Sequence, residues 1–121
     1  MSKRILVVDD DEMVRIALEE LLLSKGYMPK VAPGGQEALE ALDKENFDLV
    51  VLDIIMPGMD GYEVCRKIRK QEKWSKLPVI MLTALSGEKE REKGQQAGAD
   101  MFLPKPISPQ KLLSLIETAM G

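Results

Sequence analysis

Ile5-Leu6-Val7-Val8-Asp9-Asp10-Asp11 begins as a short apolar run and ends in three carboxylates. Two later runs have the same form: Leu49-Val50-Val51-Leu52 leads into Asp53, and Val79-Ile80-Met81-Leu82 leads into Thr83. Four β-favouring residues without polar alternation are typical of strands buried on both faces, as in a parallel sheet covered by helices. Because parallel strands end at one edge of their sheet, we expect these polar side chains to meet where open α/β sheets bind ligands.

The rest of the chain alternates helix and strand signals. Apolar residues at helical spacing follow Asp11, a predicted helix cap, and continue to Gly26, a predicted helix end. Residues 28–32 and 101–103 predict two short strands, and Pro33-Gly34-Gly35 predicts a turn that starts a helix. Further helix starts are predicted at Asp60 with Glu63, at Ser86 and at Ser108-Pro109. Five strands alternating with five helices predict an α/β fold with a doubly wound parallel sheet.

Composition and charge restrict the possible functions. The chain has 121 residues, 45% of them hydrophobic and 31% charged, which predicts one domain over residues 1–121. A net charge of -3 argues against a nucleic-acid surface, and the apolar run at the start is far too short for a secretion signal or a membrane span. The lone cysteine, Cys65, lies among apolar residues at helical spacing, which predicts a buried thiol and a reducing environment. We therefore expect a cytoplasmic protein without nucleic-acid or membrane partners.

Four stretches of the chain resemble the receiver domain of two-component response regulators. They are Ile5 to Asp10, Val51 to Gly61, Met81 to Ala84, and Gly98-Ala99-Asp100 through Lys105-Pro106. The stretches stand in the family's order and approximate spacing, and the resemblance spans essentially the whole chain. It implies a flavodoxin-like sheet with strand order 2-1-3-4-5. It also implies a response regulator that accepts a phosphoryl group from a histidine kinase or a phosphotransfer protein.

The acidic residues point to a metal ion. Crowded carboxylates repel one another, so such a site has either a raised pKa or a bound cation, and ligands that are all oxygen suit a hard ion such as Mg²⁺. The resemblance implies that Asp10 and Asp53 bind Mg²⁺ directly, that Asp9 acts largely through water, and that the carbonyl of Ile55 completes the protein's share. Asp53 would carry the phosphoryl group, while the metal ion and Lys105 would neutralise charge during the transfer. Such a protein catalyses its own phosphorylation and dephosphorylation and is not otherwise an enzyme.

The same residues predict a switch. A phosphoryl group adds negative charge and acceptor oxygens, which Thr83 and Lys105 can reach if their loops draw inward. The resemblance places Phe102 at the aromatic position that turns inward when the threonine is recruited, which changes the face formed by the fourth helix, fifth strand and fifth helix. That face would bind an unknown protein target. The resemblance also implies a cis peptide bond between Lys105 and Pro106.

Two apolar residues bear on the lifetime of the phosphoryl group. Ile55 and Leu85 stand two residues after Asp53 and Thr83, at positions that often help to place the hydrolytic water in this family. Neither side chain can orient a water molecule, so we predict slow self-dephosphorylation. The initial methionine and the last predicted helix favour a stand-alone protein over an excised piece of a longer regulator. Either a monomer or a phosphorylation-dependent dimer is compatible with the sequence.

Two other functions are compatible with part of the sequence. Asp9 and Asp11 have the spacing found in haloacid-dehalogenase-like phosphatases, but those enzymes need a further acidic pair after the lysine, and only Glu117 follows Lys105. Turnover of a generic phosphate ester would identify such an enzyme. The second alternative is an interaction module that works without phosphate. Partner binding that is unchanged in Asp53→Asn, with no uptake of phosphate, would identify that module.

Overall fold

The structure is a computed structural model that describes residues 2–84 and 87–120. Strands and helices alternate along this part of the chain, as the sequence predicts. In chain order the elements are β1 (Arg4–Val8), α1 (Glu12–Ser24), β2 (Met28–Ala32), α2 (Gly35–Lys44), β3 (Leu49–Asp53), α3 (Gly61–Lys70), β4 (Val79–Thr83), α4 (Glu88–Ala97), β5 (Met101–Pro104) and α5 (Pro109–Met120). A short 3₁₀ turn over Glu72–Trp74, which the sequence did not predict, connects α3 to β4.

The five strands form one parallel sheet with the order β2-β1-β3-β4-β5. This confirms the flavodoxin-like, doubly wound fold. The strand register brings the ends of neighbouring strands to one level: Val8 pairs with Leu52, and Asp53 pairs with Leu82. Asp9 and Asp53 therefore lie side by side at the carboxyl edge of the sheet. The pairing of Thr83 with Pro104 brings the end of β5 to the same edge.

Helices cover both faces of the sheet, which explains the unbroken apolar runs. All five residues of β3 are buried, and the four apolar ones, Leu49 to Leu52, contribute alternately to two cores. One core contains Leu6, Val50 and Leu52 together with buried residues of α2, α3 and α4. The other contains Ile5, Val51 and residues of α1 and α5. Because β3 is covered on both faces, all of its residues before Asp53 are apolar.

The predicted helix caps are confirmed where the structure describes them. Oδ1 of Asp11 and Oδ1 of Asp60 each accept a backbone hydrogen bond at 2.9 Å, from the first turns of α1 and α3. Oγ of Ser108 caps α5 at 3.3 Å, and Gly26 has a φ of 85° just after α1. Such side-chain caps each contribute about 1 kcal/mol of stability. Ser86, the predicted cap of the fourth helix, lies outside the described residues.

Cys65 is buried in α3 as a free thiol. Burial raises the pKa of this thiol to about 11, because the charged thiolate loses its hydration. The prediction of a buried helical thiol is therefore confirmed. No helix in the described ranges has both the length and the apolar character needed to cross a lipid bilayer.

Candidate functional site

Three carboxylates converge at the carboxyl edge of the sheet. Asp9 and Asp10 follow β1, Asp53 ends β3, and one carboxylate oxygen from each lies within 4.8 Å of the others. Asp9 is completely buried and Asp53 is 3% exposed, whereas Asp10 is open to solvent. The cluster thus has two buried carboxylates and one that faces the solvent, so a ligand can reach it from one side.

Lys105 completes the cluster from the loop after β5. Its Nζ atom lies 2.9 Å from Oδ2 of Asp9 and 3.3 Å from Oδ1 of Asp53. The backbone fixes this residue against the neighbouring strand, since the amide of Lys105 donates to the carbonyl of Thr83 at 2.8 Å. The Lys105-Pro106 bond is cis, as the resemblance implied. One ammonium group is therefore shared between two buried carboxylates.

Burial and repulsion determine the electrostatics of the site. Burial, followed by the nearby charge of Asp9, raises the pKa of Asp53 to about 6. For Lys105, burial opposes the charge, but contact with Asp9 and Asp53 outweighs this effect and raises the pKa of the ammonium group. The ionised site consequently has more negative charge than its single lysine can neutralise. A bound cation would remove this imbalance.

The oxygen atoms fit a hard divalent cation. Oδ1 of Asp9 accepts a hydrogen bond from the amide of Asp11 at 2.9 Å. Oδ2 of Asp9 is buried, and no donor among the described residues forms a hydrogen bond of good geometry with it. Its nearest positive group is Nζ of Lys105, at 2.9 Å. The carboxylate of Asp10 is open to solvent. Mg²⁺ binds through one or two carboxylates and keeps several waters, which suits a half-open cluster of this kind.

Two residues that support the cluster were not predicted from the sequence. Nη1 of Arg15, on α1, donates to the carbonyl oxygen of Asp9 at 2.8 Å and so holds the backbone between the two carboxylates of this strand end. At Gly61, a Cβ atom would lie 2.3 Å from the carbonyl oxygen of Asp53 and 2.7 Å from Cα of Ile54. The position of Gly61, directly after a helix cap and eight residues after Asp53, was the available signal.

The other predicted site residues lie around the cluster. Thr83 ends β4 and is half-buried beside the loop of Lys105. Ile55 follows β3 and is 53% exposed. Phe102, on β5, directs its ring towards α4, where it lies against Gly94. The structure therefore brings Asp9, Asp10, Asp53 and Lys105 into one cluster and leaves the ring of Phe102 against α4. Leu85 lies outside the described residues.

Known proteins are similar to this chain in both sequence and fold. The model of the response regulator receiver domain family matches residues 5–117. The response regulator MprA of Mycobacterium ulcerans is 46% identical over 114 residues, which cover 94% of this chain and 48% of that protein. The chemotaxis protein CheY4 of Vibrio cholerae has a TM-score of 0.95 at 31% identity, covering 98% of this chain and 99% of the other. The chain belongs to the response regulator receiver domain family.

A further solved structure bears on the acidic cluster. The receiver domain of the sensor histidine kinase PA1611 from Pseudomonas aeruginosa has a TM-score of 0.92 at 30% identity, and covers 100% of this chain and 99% of that one. A magnesium ion is coordinated in its active-site cleft. Receiver domains work with histidine kinases or phosphotransfer proteins and bind Mg²⁺ at an acidic site. The chain spans about half the length of the curated relatives it matches.

Proposed function

We propose that residues 1–121 form one receiver domain that accepts a phosphoryl group on Asp53 from a histidine kinase or a phosphotransfer protein. The supporting observation is that Asp53 is a buried carboxylate that lies beside both the other acidic residues and Lys105. It lies within 4.8 Å of Asp9 and Asp10 through its oxygens, and within 3.3 Å of Nζ of Lys105. A nucleophilic carboxylate needs positive charge beside it, because the phosphoryl group that it attacks is itself negative; Lys105 and a cation held by the acidic residues would supply that charge.

Asp9, Asp10, Asp53 and the carbonyl of Ile55 would hold one Mg²⁺ ion. When bound, the ion neutralises negative charge on the carboxylates and on the phosphoryl oxygens. Asp10 and Asp53 would bind directly, while Asp9 would act largely through water and keep Lys105 in place. This division agrees with the burial of the residues, since Asp9 is completely enclosed and already shares its second oxygen with the lysine.

Lys105 and Thr83 would bind the transferred group. Nζ of Lys105 contacts Asp53 before any phosphoryl group arrives, so this donor needs little movement to reach a phosphoryl oxygen. The hydroxyl of Thr83, at the end of the neighbouring strand, would be the second donor. Both residues would bind oxygens of the phosphoryl group on Asp53, which are present only after phosphorylation. The phosphorylated state therefore differs from the free state by these two contacts.

The output would be a change in protein binding. Phe102 would move with Thr83 and alter the face formed by α4, β5 and α5, to which an unknown protein target binds. We propose that the chain works in the cytoplasm, as a monomer or a phosphorylation-dependent dimer, with no nucleic-acid or membrane partner of its own. A net charge of -3 and a buried free thiol support this part of the proposal. A stand-alone protein remains a prediction, and so does the view that the chain catalyses only its own phosphorylation and dephosphorylation.

Beryllofluoride, a stable analogue of the aspartyl phosphoryl group, tests the site without a kinase. Titration with beryllofluoride and Mg²⁺ should shift the amide resonances of Asp53, Thr83 and Lys105 in the wild-type protein. Asp53→Asn should show none of these shifts, whereas Asp60→Asn, which alters an exposed helix cap, should respond like the wild type. An equal response of Asp53→Asn would refute the assignment of the acceptor.

A further inference from the structure

One short segment of the chain is strongly basic. Residues 66–76, which span the end of α3 and the 3₁₀ turn, contain six lysines and arginines and one acidic residue, in a chain whose net charge is -3. Five of the six are exposed, and together they form the basic face: Arg66, Lys67, Lys70, Lys73 and Lys76. The helix dipole favours cations in the last turn of a helix, but Lys73 and Lys76 lie beyond α3. The dipole therefore explains only part of this charge.

Most of the charge on the basic face is not neutralised within the protein. Nζ of Lys73 lies 3.3 Å from Oδ1 of Asp43. The other four members of the face form no ion pair with any residue that the structure describes. Arg66 and Lys70 are four residues apart on α3, and like charges at this spacing repel each other. A bound anion would remove this repulsion.

The sixth basic residue, Arg69, fixes the shape of the face. Its guanidinium group donates to the carbonyl oxygen of Trp74 at 3.1 Å and to that of Leu77 at 2.7 Å, and it pairs with Asp100 at 2.9 Å. These bonds hold the segment after α3 against the end of the helix. The helix end and the turn therefore present their charges from one fixed surface, which lowers the entropy cost of binding a partner.

A groove borders the basic face. It has a volume of about 690 Å³ and lies between the loop before β3 and the segment before β4. The partly buried rings of Phe47 and Trp74 line it, and Nζ of Lys73 lies 4.7 Å from the centre of the Trp74 ring. Because both segments precede strands, the groove lies at the amino edge of the sheet, opposite the acidic cluster. A molecule in the groove would therefore leave Asp53 accessible.

We propose that the basic face and the groove bind an acidic segment of a partner protein. Carboxylates of this segment contact the unpaired lysines and arginines, and an apolar side chain enters the groove beside Phe47 and Trp74. Such binding does not depend on phosphorylation of Asp53. It would hold the partner on the chain before and after the phosphoryl group is transferred.

The surroundings of the face favour a protein segment over other polyanions. Asp43 and Glu72 also line the groove. A peptide can place an apolar side chain beside them, whereas the backbone of a nucleic acid would bring phosphates to the groove as well as to the face. Every apolar side chain of α3 is buried, so the helix has no apolar residue with which to enter a membrane surface.

A synthetic peptide tests the proposal without metal ion or phosphodonor. The probe is a short peptide of repeated Glu-Glu-Leu units, and the control peptide has Gln in place of Glu. The acidic peptide should bind the wild-type protein, and added salt should weaken the binding. Binding should also shift the emission of Trp74, the only tryptophan in the chain, because its ring lines the groove. Absence of binding, equal binding of the Gln peptide, or an unchanged Trp74 emission would overturn the proposal.

Matched variants separate the basic face from net charge. Lys67→Gln with Lys70→Gln removes two unpaired charges and should weaken peptide binding about fivefold. Lys67→Arg with Lys70→Arg keeps the charge and should bind like the wild type. Lys25→Gln with Lys111→Gln makes the same change in net charge at exposed positions outside the face, and should also bind like the wild type. Equal weakening by the two pairs of Gln substitutions would overturn the proposal.

Two further probes test the class of partner. A short DNA duplex and vesicles that contain phosphatidylserine should both bind more weakly than the acidic peptide at the same salt concentration. If either probe bound as tightly as the peptide and lost its binding in Lys67→Gln with Lys70→Gln, the assignment to a protein segment would be wrong. These results are independent of the acceptor role of Asp53, which the beryllofluoride titration tests separately.

Discussion

At the scale of single residues, Asp53 is subject to opposing requirements. To act as the proposed nucleophile it must be ionised, yet it is buried beside another carboxylate, and its pKa is raised to about 6. A raised pKa means that the folded state holds the proton more tightly than the unfolded chain does. Stability from this group is therefore highest at low pH and is lost as the pH rises from the unfolded pKa, near 4, through about 6.

Asp53→Asn should stabilise the protein in buffer without divalent cations. At pH 7.5 the free energy of unfolding should rise by about 1–3 kcal/mol, because an amide does not carry the buried charge. The gain should shrink as the pH is lowered towards 4.5, where Asp53 itself becomes neutral. Urea unfolding at both pH values measures the effect. A stabilisation that does not depend on pH would show that burial of the charge is not its cause.

Ile55 should determine how long the phosphoryl group persists. Its side chain is half exposed two residues after Asp53 and cannot orient water, so Ile55→Asn should lose phosphate faster than the wild type. Ile55→Val, which remains apolar, is the matched control and should keep the slow rate. The decay of phosphorylated protein after removal of the phosphodonor gives the rates. Equal or faster loss from the wild type would contradict the prediction; the corresponding change Leu85→Glu is motivated by the sequence alone.

The acidic and basic residues of the cluster could be identified from sequence because each follows a recognisable strand signal. Arg15 could not be identified in this way. Its contact is with a backbone carbonyl, and no feature of the α1 sequence distinguishes this arginine from an exposed charge. The ligand roles of Asp9, Asp10 and Ile55 came from the resemblance and remain predictions.

At the scale of elements, the start of α3 packs directly against Asp53. Gly61 begins this helix directly against the end of β3, where a side chain would meet backbone atoms of Asp53 and Ile54. Backbone atoms cannot move aside as the end of a flexible side chain can. The closeness of α3 to Asp53 therefore depends on the absence of a side chain at Gly61.

Gly61→Ala should destabilise the protein by about 1–3 kcal/mol, the usual range for overpacking, and should slow phosphorylation because the loop after β3 must shift. Gly34→Ala is the control at a second helix start, since its Cβ would meet only Oε1 of Glu37, the end of a flexible side chain. Its effect should stay below about 1 kcal/mol. Urea midpoints and the rate of phosphorylation by acetyl phosphate provide the two measurements. Equal effects of the two substitutions would disprove the steric explanation.

The central strands were predictable from their apolar runs, whereas the packing of α4 was not. Burial on both faces requires the pattern seen in Leu49–Asp53, and the pattern in turn predicts the burial. Helix α4 has no apolar stripe, and side chains of other elements meet it: the ring of Phe102 on β5 lies against Gly94, and the hydroxyl of Tyr62 on α3 donates to the carbonyl oxygen of Glu90. The 3₁₀ turn at Glu72–Trp74 also lacked a signal, because it continues a polar, charged stretch.

At the scale of the whole molecule, the sheet brings together residues that are far apart in the chain. Asp9, Asp53, Thr83 and Lys105 come from the ends of four neighbouring strands, β1, β3, β4 and β5. Alternation of strands and helices predicts a parallel sheet, but only the resemblance predicted the strand order. Once the order is known, a shared edge for these residues follows from geometry alone.

Intact mass spectrometry after incubation with acetyl phosphate and Mg²⁺ tests the central claim most directly. The wild-type protein should gain the mass of one phosphoryl group, Asp53→Asn should gain none, and chelation of the metal by EDTA should abolish the gain. Hydroxylamine should remove the adduct, because it cleaves acyl phosphates. An adduct of equal yield on Asp53→Asn, or no adduct on the wild type, would contradict the account.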